Sequence, residues 1–357
     1  MGFEKLRELD AVLQRIDELQ SKVNAAKAAQ PDAYDRIMES WAVESTYNSN
    51  NIEGSTLSLG DTALLYDGAE VDGPLEDIRQ AEGGFAALRF LRQAVDEGEP
   101  FSENLVKRAH ELAYAEAKDP STRGQYRQIE VEITGTDFQP APAAYVPERM
   151  EQLVGSCARS KKHAAMVAAL FHLEFESIHP FVNANGRTGR LMSNFLLMRS
   201  GYEPVNIQAE SRARYIAAIR AFQEADDPYP FAAFFCLNLV ERLQKVLGLL
   251  TGSGDGAAEW RASGLEGYLS GDDGAPDIPK YHRDTLDDTL DDTLDDALDD
   301  TLERNRCDSA RRPIREPVRH RRQDGQVHRD GKASHERARR CGNDPQGWRE
   351  ALRPLGA

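Results

Sequence analysis

The sequence is 357 residues long, with 40% hydrophobic residues, 29% charged residues and a formal net charge of −16. That length suffices for a sizeable core in two or three domains, and no apolar run reaches the length of a membrane span. Residues 1–10 lack the apolar stretch of a secretory signal. Because the cysteines lie too far apart for a disulfide framework or a zinc site, we expect a reducing, cytoplasmic setting: Cys157, Cys236, Cys307 and Cys341.

The N-terminal part is predicted to be helical. Large aliphatic residues recur every three or four positions from Leu6 to Val23, which indicates an amphipathic helix that packs on a core. A dimer helix is the alternative. A second helix is predicted from Tyr34, and it runs into the polar stretch Ser45–Gly54. Because such polar residues favour turns and caps, a solvated linker is one interpretation of that stretch.

More helices are predicted further along the chain. Apolar spacing from Ile78 to Val95 indicates one helix after Gly73-Pro74, and Ser102 can cap the next. Pro147 suits the first turn of a third helix. Two helices are predicted beyond residue 210, over 212–222 and 231–250.

The stretch 127–145 has a different pattern. Ile129, Val131 and Ile133 alternate with glutamates, as in a half-exposed strand, and Gly135-Thr136-Asp137 supplies a turn. The pattern predicts a short surface β-hairpin.

A short polar loop joins two apolar helices between Ile178 and Arg190. Pro180 disfavours helical backbone for the preceding His179, so the first helix should end there, and the second should begin at Asn185-Gly186. A helix start offers free N–H groups and the positive end of the dipole, which together favour an anion. Gly186 allows a ligand to approach the backbone closely.

These residues together suggest a reaction. An imidazole titrates closest to neutral pH, so His179 can take a proton from an incoming hydroxyl. Asn185, the N–H groups, and Arg187 and Arg190, which lie three positions apart, would stabilise charge on phosphate oxygens. The combination predicts phosphoryl-type or nucleotidyl transfer. Two alternatives are a purely structural loop and a metal site formed by His172, Glu176 and His179, whose spacing puts them on one helical face.

The loop also resembles a known signature. His179-Pro180-Phe181-x-Asn183-Ala184-Asn185-Gly186-Arg187-x-x-Arg190 resembles the motif of the Fic family (filamentation induced by cyclic AMP), H-x-F-x-[DE]-G-N-[GK]-R-x-x-R. The resemblance implies an all-α fold with a short β-hairpin flap. It also implies transfer of AMP from ATP to a Ser, Thr or Tyr hydroxyl of a protein, with Mg²⁺ or Mn²⁺. By the same resemblance, His179 would be the general base and Phe181 would anchor the loop in the core.

The resemblance also assigns a nucleotide site. Asn185 and Arg187 would hold the phosphates together with Gly186, and Arg190 would meet the γ-phosphate. Asn183 stands where the family has an acidic Mg²⁺ ligand, and a neutral amide oxygen is a poorer partner for a hard cation. Ala184 replaces a glycine, which narrows the backbone conformations available. These departures predict a slow transferase, a changed nucleotide or metal preference, or a Fic-like binding or regulatory protein without activity.

Two further segments acquire roles through the resemblance. Ser49-x-x-x-Glu53-Gly54 resembles the [ST]-x-x-x-E-[GN] motif of the inhibitory helix in Fic proteins. It implies that Glu53 pairs with Arg190 and takes the place of the γ-phosphate, because a carboxylate on that arginine competes with a phosphate. The residues Ile129, Val131 and Ile133 would belong to a flap that holds the target segment as an added strand.

The composition changes after Thr251. A glycine-rich linker leads to a Thr-Leu-Asp-Asp repeat over Thr285–Leu302 and then to the arginine-rich stretch Arg304–Arg340, all of which we expect to be disordered. A basic segment can contact nucleic acid, so a nucleic-acid-linked regulator is a further alternative, although no helix-turn-helix pattern supports it. A shifted reading frame after the repeat is another.

The sequence therefore predicts three regions: an N-terminal helical region over 1–70 with the inhibitory motif, a Fic-type core over 71–250, and a tail over 251–357. The predicted function is that of a cytoplasmic protein adenylyltransferase that uses ATP and is inhibited by its own Glu53. Its partners would be ATP and a protein with a hydroxyl side chain. No membrane and no nucleic acid are expected, and a homodimer stays open. The target, the nucleotide preference and the activating signal are not fixed by the sequence.

Overall fold

The computed structural model describes residues 4–252, all of which fall within one compact unit. Regular secondary structure in this range is entirely helical. Short 3₁₀ segments lie at Glu4–Leu9, Pro120–Thr122, Ala143–Tyr145 and Ala209–Ser211. The α-helices are α1 (Asp10–Ala29), α2 (Pro31–Ile52), α3 (Leu59–Tyr66), α4 (Leu75–Asp96), α5 (Glu103–Ala113), α6 (Val146–Arg159), α7 (Ala164–Ile178), α8 (Asn185–Arg199), α9 (Arg212–Ala225) and α10 (Tyr229–Thr251).

Helix α7 lies at the centre of the fold. Nearly all of its residues are buried, as expected for a helix that is apolar on every side. Helix α8 packs against it at close range, because Gly189 leaves room for His172: a Cβ at Gly189 would lie 2.9 Å from Nδ1 of that ring. Helices α6, α9 and α10 surround α7, and α2, α4 and α5 pack on α8. The loop between α7 and α8 is thereby supported from several sides.

Helix α1 covers α10 with its apolar face. Val12, Ile16, Leu19 and Val23 are buried there, so the predicted packing role of the first helix is confirmed. The homodimer stays a prediction. Within residues 4–252, every helix is too short or too polar to cross a bilayer.

The predicted helix ends at the loops are confirmed. Ser102 accepts a hydrogen bond from the N–H of Leu105 at 3.2 Å and caps α5, and Pro147 lies in the first turn of α6. Helix α7 ends at Ile178, and α8 begins at Asn185. The loop therefore spans the residues that Pro180 and the Asn-Gly pair predict.

The linker interpretation of Ser45–Gly54 is wrong, because α2 continues without a break to Ile52. Several of its polar side chains are buried, and Asn48 has partners both in α2 and in a neighbouring segment. Asn48 donates to the carbonyl of Glu44 at 2.9 Å and accepts from the N–H of Ala209 at 2.9 Å. Tertiary partners thus satisfy side chains that would otherwise compete with the helix.

The predicted β-hairpin is also wrong. The stretch 127–145 contains a turn, with Gly135 at φ +83° and a hydrogen bond from the N–H of Thr136 to the carbonyl of Ile133, but no strand. Its ends are hydrogen-bonded instead to the end of α7 and to the loop that follows it. The N–H of Arg127 donates to the carbonyl of Pro180 at 2.9 Å, and that of Ala141 donates to the carbonyl of Ser177 at 3.2 Å. Alternation makes a strand only where a partner strand is available. Residues 128–140 form an irregular segment, which we call the surface segment.

Several predictions concern residues outside the described range. These are the glycine-rich linker, the acidic repeat, the basic stretch and the cysteines Cys307 and Cys341. The region boundary near residue 70 stays a prediction as well. The two cysteines inside the range, Cys157 and Cys236, are buried free thiols.

Candidate active site

The loop between α7 and α8 is braced from within by Asn185. Its amide oxygen accepts from the N–H of Phe181 at 2.9 Å, and its amide nitrogen donates to the carbonyl of Phe181 at 2.9 Å. Phe181 is fully buried, as the resemblance implied, and its ring stacks on that of His110 with centroids 3.7 Å apart and planes 5° from parallel. The side chain of Asn185 thus braces the loop from within, and its backbone N–H lies at the start of α8.

His110 is a second brace, and sequence analysis missed it. Its Nδ1 accepts from the N–H of Gly124 at 2.9 Å, so Nε2 is the nitrogen that donates to the carbonyl of Asn183 at 3.1 Å. Burial lowers the pKa of His110 to about 3, which keeps the ring neutral and preserves this tautomer. The only sequence signal was a histidine beside the apolar face of α5.

Two loop residues other than glycine adopt left-handed backbone conformations. His179 has φ 51° and ψ 60°, and Ala184 has φ 58° and ψ 20°. A conformation of this kind costs about 1–2 kcal/mol in a residue with a Cβ, so surrounding contacts must hold it. The cost falls on the candidate base and on the residue that replaces a glycine of the motif.

Arg127 supplies the contacts that hold His179. Its guanidinium is buried at the end of α7 and donates to the carbonyls of His179 at 2.8 Å, Ile178 at 3.2 Å and Ile129 at 3.0 Å, and to that of Ala141. The last carbonyls of a helix lack helical partners, and a cation there also interacts favourably with the dipole. Arg127 therefore joins the candidate base to the surface segment.

The imidazole of His179 is only partly exposed. Its side chain is 18% exposed, and its Nδ1 lies 3.6 Å from Oε2 of Glu176, one turn earlier on α7. The surroundings of Nδ1 are protein, so the other ring nitrogen is the one available to a substrate.

The beginning of α8 faces the carboxylate of Glu53. The first N–H groups of the helix have no intrahelical partner, and Ala184 provides no side-chain cap. A Cβ at Gly186 would lie 2.2 Å from Oε1 of Glu53 and 3.0 Å from Nη1 of Arg190. The absence of a side chain at Gly186 thus lets an anionic group rest on the helix start.

Arg190 contacts both predicted inhibitory residues, Ser49 and Glu53. Its Nη2 donates to Oε1 of Glu53 at 2.7 Å and to the carbonyl of Ser49 at 2.9 Å, and its Nε donates to Oγ of Ser49 at 3.0 Å. Nη1 donates to the hydroxyl of Tyr215 at 3.1 Å. Burial lowers the pKa of Arg190, but Tyr215 and Glu53 outweigh it and raise that pKa above its usual value. Glu53 itself lies just after the last residue of α2, Ile52, whose carbonyl accepts from Nε of Arg212 at 2.7 Å.

Arg187 has different partners. It forms a buried ion pair between Nη2 and Oε1 of Glu116 and donates from Nη1 to the carbonyl of Ala113 at 3.1 Å. Sequence analysis assigned Arg187 to phosphates and did not single out Glu116. The structure therefore brings Ser49, Glu53, Gly186 and Arg190 together and directs the guanidinium of Arg187 elsewhere.

The three predicted flap residues lie on the surface. Ile129 is 62% exposed, and Val131 and Ile133 are half-buried. Val131 and Ile133 alternate in exposure with Glu132, although no strand forms. The surface segment begins at Arg127 and hence beside His179.

The site does not fit the metal ion that the resemblance implied. The amide oxygen of Asn183 accepts from the N–H of Ala184 at 2.7 Å, and the loop offers no carboxylate at that position. Hard cations such as Mg²⁺ prefer charged oxygen ligands. Among residues 4–252, no group of His, Cys, Asp or Glu side chains could hold a metal ion, so the alternative site at His172, Glu176 and His179 is also unsupported.

Comparisons with known proteins find similarity in both sequence and fold. Residues 100–197 match the sequence model of the Fic/DOC family. The protein adenylyltransferase Fic of Drosophila melanogaster is 29% identical over 234 residues, which cover 64% of this chain and 45% of that protein. The chain thus spans less than half the length of the curated relatives it matches.

Two solved structures share the fold. A Fic domain-containing signalling protein from Bacteroides thetaiotaomicron has a TM-score of 0.61 and 25% identity, with 67% of this chain and 98% of that one covered. Fic-1 from Caenorhabditis elegans has a TM-score of 0.60 and 28% identity, with 68% of this chain and 73% of that one covered.

Proposed function

We propose that this chain, which carries a Fic/DOC family domain, is a protein adenylyltransferase that moves AMP from ATP to a Ser, Thr or Tyr hydroxyl of another protein in the cytoplasm. One observation carries the proposal: the carboxylate of Glu53 pairs with Arg190 on top of Gly186, at a helix start that follows His179 by one short loop. That arrangement combines a base with an anion site, and the anion site is filled by a side chain of the same protein.

The proposed reaction assigns the base to His179. The hydroxyl oxygen of the target forms a bond to the α-phosphorus, and the bond from that phosphorus to the bridging oxygen of the β-phosphate breaks. Pyrophosphate leaves with the bonding electron pair, and His179 takes the hydroxyl proton. The carbonyl of His179 is held by Arg127 at 2.8 Å, which fixes the backbone that carries the base.

Phosphate binding is proposed at the start of α8. The free N–H groups of Asn185, Gly186 and Arg187, together with the helix dipole, favour an anion there, and Arg190 supplies a planar donor fork. Asn185 and Arg187 would act through their backbones, because their side chains already bind Phe181 and Glu116. Mg²⁺ or Mn²⁺ would lack a charged ligand at this position, since Asn183 offers a neutral oxygen that is already hydrogen-bonded.

Glu53 is proposed as an internal inhibitor. Its carboxylate and a phosphate need the same guanidinium and the same helix start, so the two compete directly. Ser49, on α2, accepts hydrogen bonds from Arg190 and so fixes the orientation of its guanidinium.

The surface segment is proposed to hold the target protein. Residues 128–130 are exposed, the segment begins beside His179, and no strand of the described chain pairs with it. An extended peptide could pair with such a backbone while Ile129, Val131 and Ile133 contact its side chains.

The test is incorporation of label from ATP labelled at the α-phosphate. The natural chain, Glu53→Gly, and Glu53→Gly with His179→Ala would be compared with Mg²⁺ and with Mn²⁺. We expect Glu53→Gly to raise incorporation by about 10- to 100-fold, which corresponds to the loss of one charge-assisted hydrogen bond, and His179→Ala to abolish it. Glu39→Gly replaces an exposed glutamate on α2, the helix that precedes Glu53. It is the matched control and should leave label incorporation unchanged. Equal incorporation in the Glu53 and Glu39 variants would reject self-inhibition.

A second candidate is a Fic-like binding or regulatory protein with little activity. Asn183 favours it, because this position lacks the charged oxygen of the motif. Measurable ATP binding without label in any variant would support this candidate over the transferase.

A further inference from the structure

Glu176 is a buried carboxylate in an unfavourable place. It is 8% exposed and lies in the last turn of α7, near the negative end of the helix dipole. Burial and the dipole both disfavour a negative charge there. Packing alone therefore does not explain a glutamate at position 176.

Each oxygen of Glu176 faces an imidazole. Oε2 lies 3.6 Å from Nδ1 of His179, and Oε1 lies 3.9 Å from Nε2 of His172. Nδ1 of His179 is buried and has no other hydrogen-bond partner among the described residues. The carboxylate is therefore the acceptor available to that nitrogen.

His172 is not the partner that balances this charge. Its Nε2 lies 2.7 Å from the hydroxyl of Tyr215, and burial lowers its pKa to about 4, so the ring is neutral near pH 7. Arg190 is already bound to Ser49, Glu53 and Tyr215. Of the groups around the carboxylate, His179 is the one left to respond to it.

We propose that Glu176 is the positioning residue of the base, accepting the Nδ1–H of His179 so that Nε2 is left unprotonated toward the incoming hydroxyl. The inference rests on the proposed function for the identity of that hydroxyl. Burial alone would raise the pKa of Glu176, but the adjacent His179 and neighbouring charges bring it below its usual value, so the carboxylate is ionised. The 3.6 Å separation is longer than a hydrogen bond, and contacts of this kind shorten when substrate binds.

The proton balance is simple. The hydroxyl proton moves to Nε2 of His179, and the ring becomes a cation whose charge faces the carboxylate of Glu176. No proton passes to Glu176, and the proton on Nε2 later leaves to solvent. Arg127 fixes the main chain of His179 while Glu176 limits the rotation of the ring, so the two residues act on different parts of the same base.

The kinetic test uses Glu176→Gln and Glu176→Asp in the Glu53→Gly background. We expect Glu176→Gln to lower kcat by about tenfold or more while KM for ATP changes less than about twofold, and Glu176→Asp to recover part of the rate. Glu174→Gln is the matched control, because Glu174 is a buried carboxylate on the same helix whose charge acts on Cys157 instead. It should leave kcat unchanged.

The second test measures the tautomer of His179 directly. Two-bond ¹⁵N–¹H correlation spectra of ¹⁵N-histidine-labelled protein distinguish a proton on Nδ1 from one on Nε2, and His179→Gln identifies the signal. The Nδ1–H form should predominate in the Glu53→Gly protein and give way to a mixture in Glu176→Gln.

The two arms separate the possible failures. An unchanged tautomer together with an unchanged kcat overturns the inference and leaves the proposed function intact. A changed tautomer in a protein that transfers no label overturns the proposed function and supports the positioning role. A fall in kcat with an unchanged tautomer also contradicts the inference.

Discussion

Arg187 and Arg190 lie one turn apart on α8, yet their environments differ in kind. Arg187 pairs with Glu116, whose side chain is 3% exposed, whereas Arg190 pairs with Glu53, whose side chain is 39% exposed. The first pair is closed in the interior. The second is open to solvent on the side of Glu53. The environment of each arginine at the start of α8 is thus set by the carboxylate that reaches it.

The largest expected effect separates the two pairs by stability. Glu116→Ala leaves Arg187 as an uncompensated buried charge and should lower the free energy of unfolding by about 3–5 kcal/mol. Glu53→Ala removes a half-exposed partner and should cost at most about 1 kcal/mol. Urea denaturation of both variants measures the difference. Similar losses in the two variants would mean that the pairs are equivalent.

Arg127 extends the comparison to a buried arginine whose partners are mainly carbonyls. Arg127→Met should cost about 2–3 kcal/mol, because the carbonyls of His179, Ile178 and Ala141 lose a charged donor. In the Glu53→Gly background it should also reduce transfer, since His179 loses its backbone support. Urea denaturation and label incorporation check the two effects. Full transfer in a destabilised protein would limit Arg127 to a structural role.

His172 is a buried histidine that packs against α8 at Gly189, and its burial suggests a pH experiment. Burial lowers the pKa of His172 to about 4, so the unfolded chain binds a proton that the folded chain rejects. Stability from this residue is complete above about pH 6.5 and is lost toward pH 4 at about 1.4 kcal/mol per pH unit. His172→Gln should therefore reduce the loss of unfolding free energy between pH 7 and pH 5 by about 2 kcal/mol. An unchanged pH dependence would contradict the neutral state of this ring.

The smallest expected effect concerns the residue just before α8. Ala184 has φ 58°, so Ala184→Gly should raise the free energy of unfolding by about 1 kcal/mol. The same substitution at Ala169, inside α7, should lower it by about 1 kcal/mol or more. Thermal unfolding of the two variants provides the check, and a loss of stability in both would show that Ala184 is not strained.

The helices around the loop were predictable because their ends carry local signals. Pro180 ends α7, and Ser102 caps α5. Helix α3 was missed although Ser58 and Asp61 form a capping box, because eight residues give too short a periodicity. The prediction of a β-hairpin was wrong for the opposite reason: the alternation of apolar and charged residues was present, but no strand within residues 4–252 pairs with this stretch.

The residues of the site also differ in whether a sequence motif marks them. His179, Glu53 and Arg190 could be identified because a motif specifies each of them. His110 and Glu116 could not, since they reach the loop across 73 and 71 positions of sequence and follow no pattern of their own. Their importance depends on where the fold places them.

If Glu53 inhibits as proposed, the inhibited state depends on a single turn of helix. Glu53 follows the last residue of α2, and Gly54 at φ +101° lies directly after it, so unwinding of that turn would move the carboxylate away from Arg190. Each 1.4 kcal/mol by which a partner or a modification shifts that unwinding changes the active fraction about tenfold. Under the proposed inhibition we therefore expect graded rather than all-or-none control, in which the active fraction follows the fraying of one helix end and small influences on residues 49–54 set it.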